Sequence, residues 1–195
     1  MTLASTAAII LASGRSKRFG PHDKLLTPFR SKPLAAHSAE CVAGLPVQSA
    51  IAIVPAGNGP LAYLFAGFGI TPIFNDAADD GQGASLALGI RTVQDLPVSS
   101  ALVLLADMPF VTAQHIESLS AVLGDAEAAA SRHDGILQPP LLFSRASFPR
   151  LTALTGDKGG KAALAALSHV AMQDISALEA TDIDTPETLA ALSLD

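Results

Sequence analysis

A chain of 195 residues, 49% of them hydrophobic, is long enough to bury one substantial core, and nothing in it demands a second. The formal net charge is −6 with no basic face, which argues against nucleic acid as a partner. The single cysteine excludes an internal disulfide framework and fits a reducing cytoplasm. The start Met1-Thr2-Leu3 lacks the cationic opening of a secretory signal, and no apolar run is long enough to cross a bilayer, so no membrane partner is expected.

Strand-like apolar runs alternate with helix-like segments. Ala7 to Leu11 reads as a buried strand, followed by a loop and a helix opening at Pro33. Cys41 falls in the apolar stripe of that helix, where it packs rather than reacts. Ala50 to Val54 is a second strand, with a helix near Leu61 to Phe68. Ile70 to Phe74 is a third, with a helix over Ala84 to Val93. Ala101 to Ala106 is the strongest strand pattern, and Thr112 can cap the helix after it. This βαβα order predicts an α/β fold with a parallel sheet covered by helices. Glu127 to Ser131 and Ile136 to Phe143 have too few residues between them for a crossover helix, so the sheet should be mixed. Helices near Ser144 to Leu154 and Lys158 to Leu167, a strand near Val170 to Ile175 and a helix after Pro186 complete the chain.

In open α/β sheets ligands sit outside the carboxyl ends of the strands, and three sequence features fall there. The first is the loop Leu11-Ala12-Ser13-Gly14-Arg15-Ser16-Lys17-Arg18-Phe19-Gly20, closing at Asp23-Lys24. Half of the 12 Lys and Arg lie between Arg15 and Lys32, in an acidic protein. A glycine-bearing cationic loop straight after a strand suits a polyphosphate. The second is Asp107-Met108-Pro109, at the end of the strongest strand. A carboxylate there is a natural ligand for Mg²⁺ beside phosphates, although Asp-x-Pro also starts turns. The third is Asn75-Asp76 followed by Gly81-Gln82-Gly83-Ala84-Ser85, a glycine-rich turn running into a helix that could meet an anion or a base edge, or serve only as a capped turn.

Taken together, Leu11-Ala12-x-Gly14-x-Ser16-x-Arg18-Phe19-Gly20 with Lys24, Gly81-x-x-x-Ser85-Leu86-x-x-Gly89, Leu105-Ala106-Asp107-Met108-Pro109 and Asp182-Ile183-Asp184-Thr185-Pro186-Glu187 resemble the MobA-like nucleotidyltransferases. Among them the chain is most similar to the molybdenum cofactor cytidylyltransferases. The resemblance spans residues 1–195 and implies a single-domain, Rossmann-like nucleotidyltransferase fold with a mixed, mostly parallel sheet flanked by helices. It implies transfer of a nucleotidyl group from a nucleoside triphosphate, CTP before GTP, to the phosphate of a molybdopterin-type acceptor, with release of pyrophosphate. By the same resemblance Leu11, Ala12, Ser13, Gly14, Arg15 and Ser16 form the nucleotide loop, with Arg18 and Lys24 as charge partners of the triphosphate. Asn75, Gly81 and Ser85 border base and ribose. Asp107 holds Mg²⁺, with Asp184 as a second carboxylate, though Thr185-Pro186-Glu187 also makes the Asp184 segment a helix start. Asp157, Lys158 and Lys161 lie in a loop resembling the acceptor-side element of the family, where Lys158 and Lys161 would meet the acceptor phosphate, though they also read as an ordinary cationic helix start.

Two positions depart from the family pattern. Ser13 stands where guanylyltransferases show the first of two glycines and cytidylyltransferases more often Ala. Gln138 and Pro139 replace the second Gly and the His of a Gly-x-x-Gly-His-Pro-like acceptor segment. Transfer to another phosphorylated small molecule, or a non-catalytic chaperone delivering molybdenum cofactor to a client molybdoenzyme, therefore stand beside the main expectation. A dinucleotide-like Gly57-Asn58-Gly59-Pro60-Leu61-Ala62 stretch leaves the first loop and Asp107 without a task. Gly83-Ala84-Ser85-Leu86-Ala87 approximates a nucleophile elbow but follows an acidic stretch, not a strand. The five histidines have no zinc spacing.

Overall fold

A computed structural model describes residues 2–14, 19, 23–156 and 159–193. The strands are β1 (Thr6–Leu11), β2 (Pro28–Phe29), β3 (Lys32–Pro33), β4 (Ser49–Pro55), β5 (Thr71–Asn75), β6 (Ser100–Leu105), β7 (Ala128–His133), β8 (Ile136–Ser144) and β9 (Val170–Asp174). The helices are α1 (Leu34–Ala43), α2 (Gly59–Gly67), α3 (Gln82–Val93), α4 (Ala113–Leu123), α5 (Phe148–Leu151), α6 (Gly160–Ala165) and α7 (Pro186–Leu192). Seven strands make one sheet in the order β5-β4-β1-β6-β8-β7-β9. Only β8 runs against its neighbours β6 and β7; the other pairings are parallel, as the short β7–β8 connection required.

Alternation along β1 divides the molecule into two cores. Ala8 and Ile10 face the layer of α1, α2 and α4, where Leu34, Leu61, Ile116 and Leu119 are buried. Ala7, Ile9 and Leu11 face the layer of α3, α5 and α6, with Leu86, Ile90, Phe148 and Leu164. Burial of each large side chain contributes about 1.5–3 kcal/mol, so the two-sided apolar strands organise the fold. Gly89 has a packing reason: a Cβ there would come 2.7 Å from Ile9 Cγ2, so its absence lets α3 lie against β1.

Two local expectations change. Pro33 does not open α1 but precedes it, because it pairs with Pro28 in the β2–β3 hairpin. That hairpin turns on Arg30 and Ser31, both with positive φ (44° and 70°), and no glycine announces it. The segment expected as one helix from Ser144 is a single 3₁₀ turn, Arg145–Ser147, followed by the four-residue α5. Elsewhere the expected caps hold: Thr112 accepts from His115 N and Thr185 from Thr188 N, each at 3.2 Å.

β1 and β4 share parallel register through Leu11–Ile53, β1 and β6 through Leu11–Leu105, and β4 and β5 through Pro55–Asn75. Their carboxyl ends therefore line one edge. From β1 the chain moves outward to β4 and β5, then returns to place β6 on the other side of β1. This reversal is the topological switch point where such sheets bind ligands.

Candidate active site

The loops after β1 and β6 converge at that switch point with the segment entering α7. Lys24 Nζ lies 2.7 Å from Asp107 Oδ2 and 3.1 Å from Asp184 Oδ1. Asp107 follows β6 directly, and its carbonyl accepts from Ile183 N at 3.0 Å, which locks the entry to α7 beside it. Burial alone would lower the Lys24 pKa, but Asp107 and then Asp184 outweigh it and raise it above its ordinary value. Among the described residues Asp107 Oδ1 is the one buried side-chain polar atom without a hydrogen-bond partner. An acceptor oxygen held out of water in this way is costly unless a cation or donor meets it.

Asp182 stands beside this cluster. Partial burial of its carboxyl, followed by the charges of Asp184 and Asp107, raises its pKa. The Lys24 turn is itself clamped. Asp23 Oδ1 accepts from Leu25 N at 2.9 Å, while Asp23 Oδ2 accepts from Asn58 Nδ2 at 2.6 Å. Asn58 also caps α2, accepting from Leu61 N. The Gly57–Pro60 stretch that approximates a dinucleotide motif thus works as a brace for Lys24. Sequence reading missed this role, for which the only signal was an Asn before Gly-Pro at a helix start.

The expected base and ribose residues form a second cluster. Ser13 Oγ and Ser85 Oγ are 2.6 Å apart, Asn75 Nδ2 donates to Ser85 Oγ at 3.1 Å, and all three residues are buried. Their side chains are engaged with one another, so they fix the loop after β1 to the start of α3. Gly81 has φ +94° and ψ −180°, a conformation open essentially to glycine alone. Leu11 and Ala12 bury their side chains in opposite cores, and Ala12 N donates to Ile53 O at 2.9 Å. Gly14 needs no special φ, and a Cβ there would meet nothing within 4 Å, so its side faces open space. The Gly83 amide at the start of α3 already donates to Gly156 O at 2.9 Å. Arg15, Ser16, Arg18, Asp157 and Lys158 lie outside the described residues.

Next to Asp182 opens a cleft of about 340 Å³. Leu105, Met108, Leu137, Pro139, Leu141 and Leu164 give it an apolar lining, and Gln82, Gln138, Lys161 and Asp182 supply polar groups. Pro139 and Pro140 form a bulge in β8, because the register passes from Ala130–Leu141 to Ser131–Gln138. Ser131 Oγ donates to Pro140 O at 2.8 Å and accepts from His115 Nε2 at 2.8 Å, which pins that bulge. Lys161, expected on the acceptor side, lines the cleft; Gln138 and Pro139, which depart from the expected pattern, form part of its wall.

The model of the MobA-like NTP transferase domain matches residues 8–171. The chain belongs to this family. As a MobA-like nucleotidyltransferase it is 27% identical over 191 residues to the purine catabolism protein PucB of Bacillus subtilis, which covers 92% of this chain and 91% of PucB. It is 33% identical over 128 residues to a molybdenum cofactor guanylyltransferase of Acidiphilium cryptum, covering 65% of this chain and 60% of that protein. Among solved structures it resembles Rv0371c of Mycobacterium tuberculosis with a TM-score of 0.83 and 24% identity over the whole of both chains, a likeness of fold. The expected family and fold both hold.

Proposed function

We propose that this MobA-like nucleotidyltransferase moves a cytidylyl group from CTP to the phosphate of a molybdopterin-type acceptor and releases pyrophosphate. The observation that carries this reading is the Lys24–Asp107–Asp184 cluster at the switch point, with Asp107 Oδ1 buried and unpartnered among the described residues. Carboxylates at strand ends suit a hard cation such as Mg²⁺, which takes one or two protein carboxylates and fills its shell with phosphate oxygens and water. Among the described residues no group of three or more His, Cys, Asp or Glu could hold a metal ion. Asp107 would hold the ion, with Asp184 as the second carboxylate. Bound there, it would neutralise charge on the phosphates.

The rest of the chemistry falls to the chain and its substrates. An acceptor phosphate oxygen attacks the α-phosphorus in line. The bond from the α-phosphorus to the oxygen bridging to the β-phosphate breaks, and pyrophosphate leaves with the electron pair. A phosphate monoester is already anionic at neutral pH, so no general base is needed. Orientation and charge neutralisation supply most of the rate. Lys24 serves as a charge partner of the triphosphate, with Arg18 and Arg15 of the same loop. The Ser13–Ser85–Asn75 cluster holds that loop against α3 beside the base and ribose. Lys161 at the cleft offers the acceptor phosphate a cation, a role proposed also for Lys158, with Asp157 proposed as a further acceptor-side residue, and the apolar cleft takes the body of the acceptor.

Ser13 matches neither the glycine of guanylyltransferases nor the Ala more usual in cytidylyltransferases, so CTP as donor rests on the resemblance of the motifs as a whole. Likeness to the guanylyltransferase of Acidiphilium cryptum favours GTP as the second reading. Thermal unfolding with CTP, GTP, ATP and NAD, each with and without Mg²⁺, separates them. A ligand at a hundred times its dissociation constant adds roughly 2.7 kcal/mol, or about 5–11 °C for a chain of this size. A Mg²⁺-enhanced shift with CTP alone, followed by pyrophosphate release with molybdopterin, is the expected result. A shift with GTP alone moves the donor to GTP. Tight cofactor binding without turnover by the pure protein would replace catalysis with a chaperone role.

A further inference from the structure

The three segments that carry Lys24, Asp107 and Asp184 meet again around Arg30. Arg30 occupies the β2–β3 turn, which follows the Lys24–Leu26 turn by a few residues. Its guanidinium lies 4.9 Å from the ring centroid of Phe110, three residues beyond Asp107, and 5.6 Å from that of Phe29. The two rings are themselves edge-on at 5.7 Å. Arg30 Nε donates to Leu192 O at 3.0 Å, at the last helical residue of α7. The carbonyls of a final helical turn have no partner within the helix, and a cation there also meets the negative end of the helix dipole.

α7 needs that anchor because it holds itself poorly. It has no buried residue, and only Leu189 and Leu192 pack partly against the core. At its entry the fully buried Ile183 donates from its amide to Asp107 O, and Asp184 is the next residue. The helix is therefore pinned at two ends, by Ile183 and by Arg30, with Asp184 beside the first pin.

We infer that Arg30 is a positioning residue: by tying the end of α7 to the Phe29–Phe110 pair, it sets Asp184 against Asp107 for cation binding. This rests on the reading of Asp184 as a cation ligand. A planar guanidinium suits the task, since it can stack on two rings while one N–H reaches a carbonyl; a lysine ammonium cannot do both.

The test titrates the full chain with Mn²⁺ alone, read by electron paramagnetic resonance. It compares wild type, Arg30→Ala, Arg30→Lys, Asp184→Asn and the double variant Arg30→Ala/Asp184→Asn. Losing a charge-assisted hydrogen bond that orders one ligand should weaken Mn²⁺ binding about tenfold in Arg30→Ala, with Arg30→Lys in between. In the Asp184→Asn background the Arg30→Ala change should add nothing. Amide exchange should rise over 183–192 in Arg30→Ala and stay unchanged in β1 and β6. Wild-type Mn²⁺ affinity in Arg30→Ala, or an equal loss with and without Asp184, would overturn the proposal. Should Arg30→Ala fail to fold, unchanged Mn²⁺ affinity in Arg30→Lys has the same force. If Asp184→Asn binds Mn²⁺ as wild type does, the cation role of Asp184 falls first and takes the proposal with it.

Discussion

Lys24 and Asp107, 83 positions apart in the chain, meet at 2.7 Å across the carboxyl edge of the sheet. The lysine side chain is only 10% exposed and the aspartate 20%, so the pair is largely withdrawn from water. Asp107→Ala should cost about 2–3 kcal/mol in urea unfolding, less than a fully isolated buried charge because Asp184 remains. Adding Lys24→Met should restore most of it. An unchanged Asp107→Ala stability would show that Lys24 finds another partner. The raised Lys24 pKa also has a sign: its contribution is complete below the unfolded value near ~10.4 and is lost as pH climbs through the folded value.

Turnover should respond differently. Asp107→Asn keeps the shape and removes the charge, and pyrophosphate release should fall by at least about a hundredfold. Near-normal metal-dependent turnover in this variant would remove Asp107 from the chemistry.

Acid should act through His115. Burial lowers its pKa, opposed by Glu179, and its Nε2 is committed to Ser131. The folded value lies below the unfolded one, so the stabilising contribution is present above about pH 6.5 and lost as pH falls through the folded value. His115→Phe should flatten the stability profile below pH ~6.5. A profile identical to wild type there would assign the acid loss to other groups.

Two glycines with blocked Cβ positions should separate packing from specificity. Gly89→Ala presses on Ile9 in a closed core and should cost about 1–3 kcal/mol. At Gly159 the obstacle is the end of the Gln82 side chain, which can swing away. Gly159→Ala should therefore fold with near wild-type stability while raising the KM of the acceptor more than that of the nucleotide. Equal rises in both would take Gln82 out of acceptor binding.

Cys41 should be inert. Burial, with Glu179 nearby, pushes its thiol up to about 11, so little thiolate exists at neutral pH. Iodoacetamide should label the native chain far more slowly than the unfolded chain, and Cys41→Ser should leave turnover intact.

The order of elements was legible because each rests on local pattern: the two-sided apolar runs of β1 and β6, the Thr112 and Thr185 caps, and the short β7–β8 connection that forced a mixed sheet. Asp107 was legible as a candidate because a carboxylate just past a strand end carries its position with it, and Lys24 because it closes a cationic, glycine-bearing loop; Asp184 entered only through the family resemblance. The β2–β3 hairpin was not legible, because Arg30 and Ser31 adopt positive φ without glycine. Which polar groups face a ligand and which face one another was also beyond local reading. Ser13, Ser85 and Asn75 satisfy each other, Asn58 braces Asp23, and Arg30 reaches Leu192 only because strands far apart in sequence are adjacent in the sheet. Periodicity and chain-end chemistry act over a few residues and are written in the sequence. Hydrogen-bond partnership between distant loops is decided by strand order, and that comes into being only when the sheet assembles.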